Sequence, residues 1–177
     1  MNRILKIVLF LIITLVLNCL VFAFASSEKR VAHGNQKGTC IDSVKNNACD
    51  SFNTVWPHVY HPSRFSFFDS CISVTGIIKS IRQERDGDLH IQLELDSEFV
   101  SMLNYKNLKH QNGYLVCEII CVTSVSQSDA IVPCLHYVNN ISIPRPGDYV
   151  SITGPHVLDL EHGWVEIHPV LMLYFIR

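Results

Sequence analysis

The chain has 177 residues, 48% of them hydrophobic, with 14 Lys+Arg against 16 Asp+Glu and nine His. Removing the first 25 residues takes away Arg3 and Lys6, which leaves 12 cations against 16 anions and a net charge near −4. That balance speaks against an electrostatically driven nucleic-acid binder, whose footprint is a basic stripe.

The N-terminus reads as an export segment. Arg3 and Lys6 form a positive start, Ile7 to Phe22 an apolar core, and Ala23-Phe24-Ala25 a small-x-small cleavage pattern. The expectation is cleavage after Ala25. The apolar run is also long enough to span a bilayer, so an uncleaved anchor is the alternative. Cys19 follows Asn18 rather than a small residue, and a lipid-attachment reading is set aside.

The remaining 152 residues suit one domain. They hold six cysteines, Cys40, Cys49, Cys71, Cys117, Cys121 and Cys134, and an even number in an exported chain predicts three disulfides. The expected pairs are Cys40 with Cys49 and Cys121 with Cys134 as local loops, leaving Cys71 for Cys117. A zinc site built on Cys117-x3-Cys121 is the competing reading. Four residues along one strand separate two thiols by roughly 13 Å, too far for a single ion.

Residues 26 to 70 are rich in turn formers, among them Gly34, Gly38, Asn46-Asn47, Pro57 and Pro62. They read as an irregular, disulfide-held arm, with Trp56, Phe65, Phe67 and Phe68 plugging it onto a domain that begins near Cys71. From there the pattern is β. Ile72 and Val74 alternate into Gly76 and on toward Ile81, which predicts one long strand bent at the glycine. Asp86-Gly87-Asp88 is a hairpin signal. The second strand sets Leu89, Ile91, Leu93 and Leu95 against Asp88, His90, Gln92, Glu94 and Asp96 on the other face.

Ser97 to Gln111 is the one candidate helix, capped by Asp96 or Ser97 and ended by Asn112-Gly113. A nearly all-apolar third strand covers Tyr114 to Thr123, and a polar connection carries the sequon Asn140-Ile141-Ser142. A fourth strand covers Tyr149 to Gly154 and a fifth runs from Trp164 to about Phe175. Five strands and one helix over residues 71 to 177 predict an all-β domain, a small five-stranded OB-like barrel, with an incomplete sandwich as the alternative. The helix falls between the second and third strands, unlike the usual plan.

The fifth strand carries His162-Gly163-Trp164-Val165-Glu166-Ile167-His168-Pro169-Val170. Period two places Trp164, Glu166 and His168 on an outward face and Val165 and Ile167 inward. In an OB plan this strand and the Asp86-Gly87-Asp88-Leu89-His90 turn both fall near the ligand face. The candidate ligand-binding set is therefore Asp86, Asp88, His90, His162, Trp164, Glu166 and His168.

Three readings compete for it. His90, Glu166 and His168, with Asp88 as a further ligand, could hold a divalent metal such as zinc and activate a water for ester or phosphodiester hydrolysis. The same face could bind without reacting, Trp164 stacking on a base or sugar ring. Or it is a solvated sheet face with cross-strand pairs and no ligand. No nucleophile elbow, phosphate loop or His-Glu-x-x-His motif adds weight to catalysis. The only basic cluster is Lys79, Arg82 and Arg85. His58 and His61 sit in the arm, His110 on a helix end, and His156 is a distant candidate for the site.

Val59-Tyr60-His61-Pro62-Ser63-Arg64-Phe65, Cys71-Ile72-Ser73-Val74-Thr75-Gly76, Asp86-Gly87-Asp88-Leu89-His90, Gly147 to Pro155 and His162 to Val170, in this order, resemble a family of exported prokaryotic proteins without a known activity. The resemblance spans about residues 55 to 177 and implies an exported protein with a compact OB-like domain. It assigns no functional residue.

Overall fold

A computed structural model describes residues 49–177. The expected export segment and Cys40 lie outside the described residues. Short helix α1 (Phe52–Val55) leads through two 3₁₀ turns into β1 (Phe65–Gln83), followed by β2 (Leu89–Leu95), α2 (Tyr105–His110), β3 (Leu115–Ile119), α3 (Ile131–Cys134), β4 (Tyr149–Asp159), β5 (Val165–Ile167) and β6 (Met172–Phe175). The domain is mostly strand, as its alternating pattern predicts.

The strands form one six-stranded sheet in the order β1-β2-β3-β5-β4-β6, and β1 also pairs with β4. β1 is long enough to serve two neighbours. Its residues 76–83 run antiparallel to β2, and its residues 65–77 run antiparallel to β4. The two ladders overlap at Gly76, where an added Cβ would collide with the Glu94 carbonyl oxygen, so a side chain cannot stand there. This is the glycine bend the pattern predicts, in a strand that starts six residues before Cys71.

β3 and β5 are parallel, Val116 facing Glu166 and Cys117 facing Ile167. One face of this sheet encloses the main core of Val74, Ile78, Ile91, Leu93, Leu115, Ile119, Ile152 and Ile167. On the opposite face a smaller apolar cluster of Val59, Phe65, Ile120 and Val157, backed by Val55, Trp56 and Tyr137, packs the N-terminal arm against the sheet.

Three expectations are corrected. The helix is shorter than 97–111: residues 100–102 form a 3₁₀ turn, and α2 starts after Asn104, whose side chain accepts from the Lys106 and Asn107 N–H groups in a capping box with Asn107. Asp96 instead bonds Thr75 and Tyr149, which removes it as a cap. The fifth strand divides in two at residues 168–171, where Pro169 cannot donate to a ladder. Of the arm aromatics, Phe65 is buried and Trp56 half-buried, while Phe67 and Phe68 stay exposed.

The cysteine pairing also differs. Cys121–Cys134 forms as expected, but Cys49 bonds Cys71 rather than Cys40, and Cys117 is a free, buried thiol. Cys117 shares the inner face of β3 with Leu115 and Ile119, two residues away on either side, and is committed to the main core. Burial pushes its thiol well above the ordinary range, so it stays protonated and inert. Two disulfides fit an oxidising, extracytoplasmic compartment. Among the described residues no helix is long and apolar enough to cross a membrane.

Candidate functional site

The row expected to face solvent is buried. Glu166 and His168 are each 1% exposed, Asp88 and His90 3%, and Trp164 is half-buried. Their faces are as the alternation predicts, but the arm and the segment after β3 cover them. Phe65 lays its ring 4.4 Å from that of His168, and Asp88 accepts the Cys121 N–H at 2.7 Å through Oδ1.

The centre of the arrangement is a residue that periodicity does not single out. Glu118 is the one acid in the apolar run from Leu115 to Val122, and β2–β3 register sets it opposite His90. Its two oxygens face two imidazoles: Oε1 lies 3.0 Å from His90 Nδ1 and Oε2 lies 3.2 Å from His168 Nδ1. His168 Nδ1 is also 3.2 Å from Glu166 Oε1. Beyond these, Gln111 Oε1 accepts from Gln92 and meets His90 Nε2, and Trp164 donates its indole N–H to Glu166 Oε2 at 2.9 Å. Three atoms of this network, Glu166 Oε1 and both ring nitrogens of His168, are sealed from solvent without a well-aligned hydrogen bond.

The charges settle one another unevenly. Burial alone would lower the His168 pKa, but the facing Glu118 and Glu166 carboxylates outweigh it and lift the ring to about 10. Burial likewise works against the Glu118 anion, yet His168 and His90 hold its carboxyl far below the usual range. His90 is raised in turn, Glu118 prevailing over burial. Asp88 is pushed up to about 8 by burial and then by the charge of Glu118, and Glu166 is raised by the same two causes in the same order. At neutral pH the cluster therefore centres on an ionised Glu118 beside the His168 imidazolium, with Asp88 favouring its acid form.

β5 is placed by α2 and by a close approach of β4. Buried Asn107 accepts the Val165 N–H and donates to the Val165 and Tyr114 carbonyls, while Asn104 donates to the Gly163 carbonyl. Gly154 lets the chain after β5 lie against β4; a Cβ there would collide with the Pro169 oxygen. Asn107→Ala leaves the Val165 N–H and C=O without partners in a dry setting and is expected to cost about 2–3 kcal/mol. Urea unfolding measures it, and a loss below about 0.5 kcal/mol would show that α2 does not hold the strand.

An open cleft of about 450 Å³ lies beside the sealed cluster. Asp86, His90, His162 and Trp164 of the expected set line it, whereas Asp88, Glu166 and His168 do not. Its floor holds His90 and Glu118, the two residues common to cleft and cluster. On one wall the His162 and Trp164 rings stack at 4.3 Å, and Asp159 holds His162 Nδ1 at 2.8 Å. The other wall comes from the arm and the turn before β2: Tyr60 stacked on His61, with Arg64, Arg82, Glu84 and Arg85. Arg64 faces buried Asp159 at 3.4 Å and Arg82 pairs with Glu84 at 2.6 Å, while Arg85 has no ion pair among the described residues.

Tyr60, His61 and Arg64 carry no periodic signal, because the arm is irregular; they reach the cleft through the left-handed backbone at His61 and the 3₁₀ turn after it. His58 instead meets the Pro133 carbonyl and stacks on Tyr137. His156 is half-buried against Phe68, outside both cleft and cluster. No family model matches this chain, and neither does any curated protein.

Proposed function

We propose that this chain is an exported binding module, an OB-like barrel that takes a small, polar, ring-bearing ligand in the cleft over the outer face of strands β2 and β5. The OB-like reading is supported by the return pairing of β1 with β4, which links five strands in a ring, and by the parallel β3–β5 pair. Export is supported by the two disulfides and by the N-terminal pattern of Arg3, Lys6 and Ala23-Phe24-Ala25.

The observation that carries the binding reading is the cleft wall. Two stacked ring pairs, Tyr60–His61 and His162–Trp164, flank a polar floor with Arg85 at the rim, a surface suited to a base or sugar ring and its hydroxyl or acidic groups. A hydrolytic reading on His90, Glu166 and His168 has less support, because Glu166 and His168 lie beneath the cleft where a substrate bond cannot reach them.

Titration of the full chain with a panel of mononucleotides and mono- and disaccharides, followed by NMR, tests this. At least one compound is expected to shift the Trp164 indole resonance, and Arg85→Ala with His162→Ala is expected to weaken it at least tenfold. Both side chains are exposed, so the melting temperature stays within about 3 °C. A panel that leaves the Trp164 resonance unmoved, or binding that survives the double substitution, sinks the proposal.

A further inference from the structure

The sealed cluster behind the cleft has a feature that ion pairing alone does not account for. It buries three carboxyl groups, Asp88, Glu118 and Glu166, with two imidazoles, and while His168 Nδ1 is shared between Glu118 and Glu166 at 3.2 Å, its Nε2 has no polar partner. Buried polar atoms are nearly always satisfied, and an orphan donor or acceptor in a dry site calls for a missing partner. Here the orphan is Nε2 of His168, a ring nitrogen on a side chain that is 1% exposed.

The geometry points to a zinc ion held by Asp88, Glu118 and His168. One carboxylate oxygen from each acid and one ring nitrogen of His168 all lie within 4.8 Å of one another. Ligand atoms on a tetrahedral zinc are about 3.3 Å apart, so the three need to draw together by at most about 1.5 Å. The donor set, two carboxylates and an imidazole, is one that zinc accepts. It is not the set that strand alternation suggests, since Glu118 takes the place of His90 and Glu166. A second grouping, Asp88 with Cys121 and Cys134, is closed to metal because those two sulfurs are bonded to each other.

Each ligand comes from a different part of the fold. Asp88 precedes β2, Glu118 is in the middle of β3 and His168 follows β5. An ion joining them ties β2, β3 and β5 together at the end where β5 is only three residues long. Three protein ligands leave a fourth position on a tetrahedral ion, which water would fill in this buried setting. Glu118 reaches from the cleft floor into the cluster and marks the route by which an ion enters. Glu166, at 3.2 Å from His168 Nδ1, is the neighbour that orients the imidazole. The site does not depend on what the cleft binds.

The test uses the untagged full chain, stripped with EDTA and titrated with zinc chloride alone by calorimetry, with bound metal counted after gel filtration. One zinc per chain is expected, displacing the protons of His168 and Asp88 into solvent and so binding more tightly as pH rises, with a Kd below about 1 μM at pH 8 and a rise in melting temperature. Asp88→Asn keeps an oxygen to accept the Cys121 N–H and so preserves the fold, yet it is expected to weaken zinc at least tenfold. His61→Ala and His162→Ala, which remove exposed imidazoles, leave the affinity within twofold. Absence of zinc binding, or zinc that binds Asp88→Asn as tightly as the parent, overturns the inference. Because the readout is metal content, failure here leaves the cleft-binding result standing, and the reverse also holds.

Discussion

Glu118→Ala is expected to destabilise the metal-free domain by about 3–5 kcal/mol, the range for breaking a buried charge network by removing one member. The reason lies in the two imidazoles that share its carboxylate. With Glu118 gone, His90 keeps only Glu84 at 3.8 Å and His168 only Glu166 at 3.2 Å, so the His168 ring must shed its proton or remain a poorly compensated buried cation. Glu118→Gln fills the same space and leaves an acceptor for one ring, so its cost should fall between the parent and alanine. Urea unfolding in EDTA gives the three stabilities. If the alanine variant loses less than about 1 kcal/mol, the network is not what holds β2, β3 and β5 in register on that face.

The pH dependence of stability should be equally large. An imidazole whose pKa rises on folding from 6.5 to about 10 stabilises in full below 6.5, and loses that contribution as pH climbs through 10. Asp88, raised from 3.8 to about 8, prefers its acid form when folded, so rising pH works against folding between those values. Glu166, also raised, pulls the same way. Glu118 acts in the opposite sense: held below its ordinary 4.5, it stabilises above that value and fails as the solution becomes more acid. The metal-free domain is therefore most stable near pH 4. From pH 5 to pH 9 it is expected to lose about 7 kcal/mol, His168 contributing between 6.5 and 9 and Asp88 between 5 and 8, since a tenfold change in a proton's affinity on folding is worth about 1.4 kcal/mol. Denaturant melts at pH 5, 7 and 9 measure this. A flat profile would mean that the cluster does not hold its protons in the arrangement described.

How legible these features were in the sequence depended on whether they lay along one strand or across several. β2 could be read from Leu89 to Leu95 because one face alternates without a break, and the faces of Trp164, Glu166 and His168 were right for the same reason. Their burial was not legible. It comes from residues 55–65 and 121–139, which have no period to read and whose position over the sheet depends on contacts distant in sequence. Glu118 did leave a trace, as a lone acid in an apolar strand, but its meaning needed the β2–β3 register that puts it opposite His90. The cysteines divide in the same way. A close pair, Cys121 and Cys134, follows from proximity along the chain, whereas proximity misleads for Cys49, which reaches 22 residues forward to Cys71.

The positions of the two disulfides separate what oxidation holds from what it does not. Cys49–Cys71 fastens the segment that leads into the arm, and Cys121–Cys134 fastens the segment that follows β3, while the main core closes around a thiol, Cys117, that takes no part in either. Reduction is therefore expected to loosen the cover over Asp88, Glu166 and His168 before the inner packing of the sheet, which amide hydrogen exchange with and without reductant measures. The covalent chemistry of the molecule is thus spent on the lid of the dry polar chamber, while the inner packing of the sheet carries no covalent link at all.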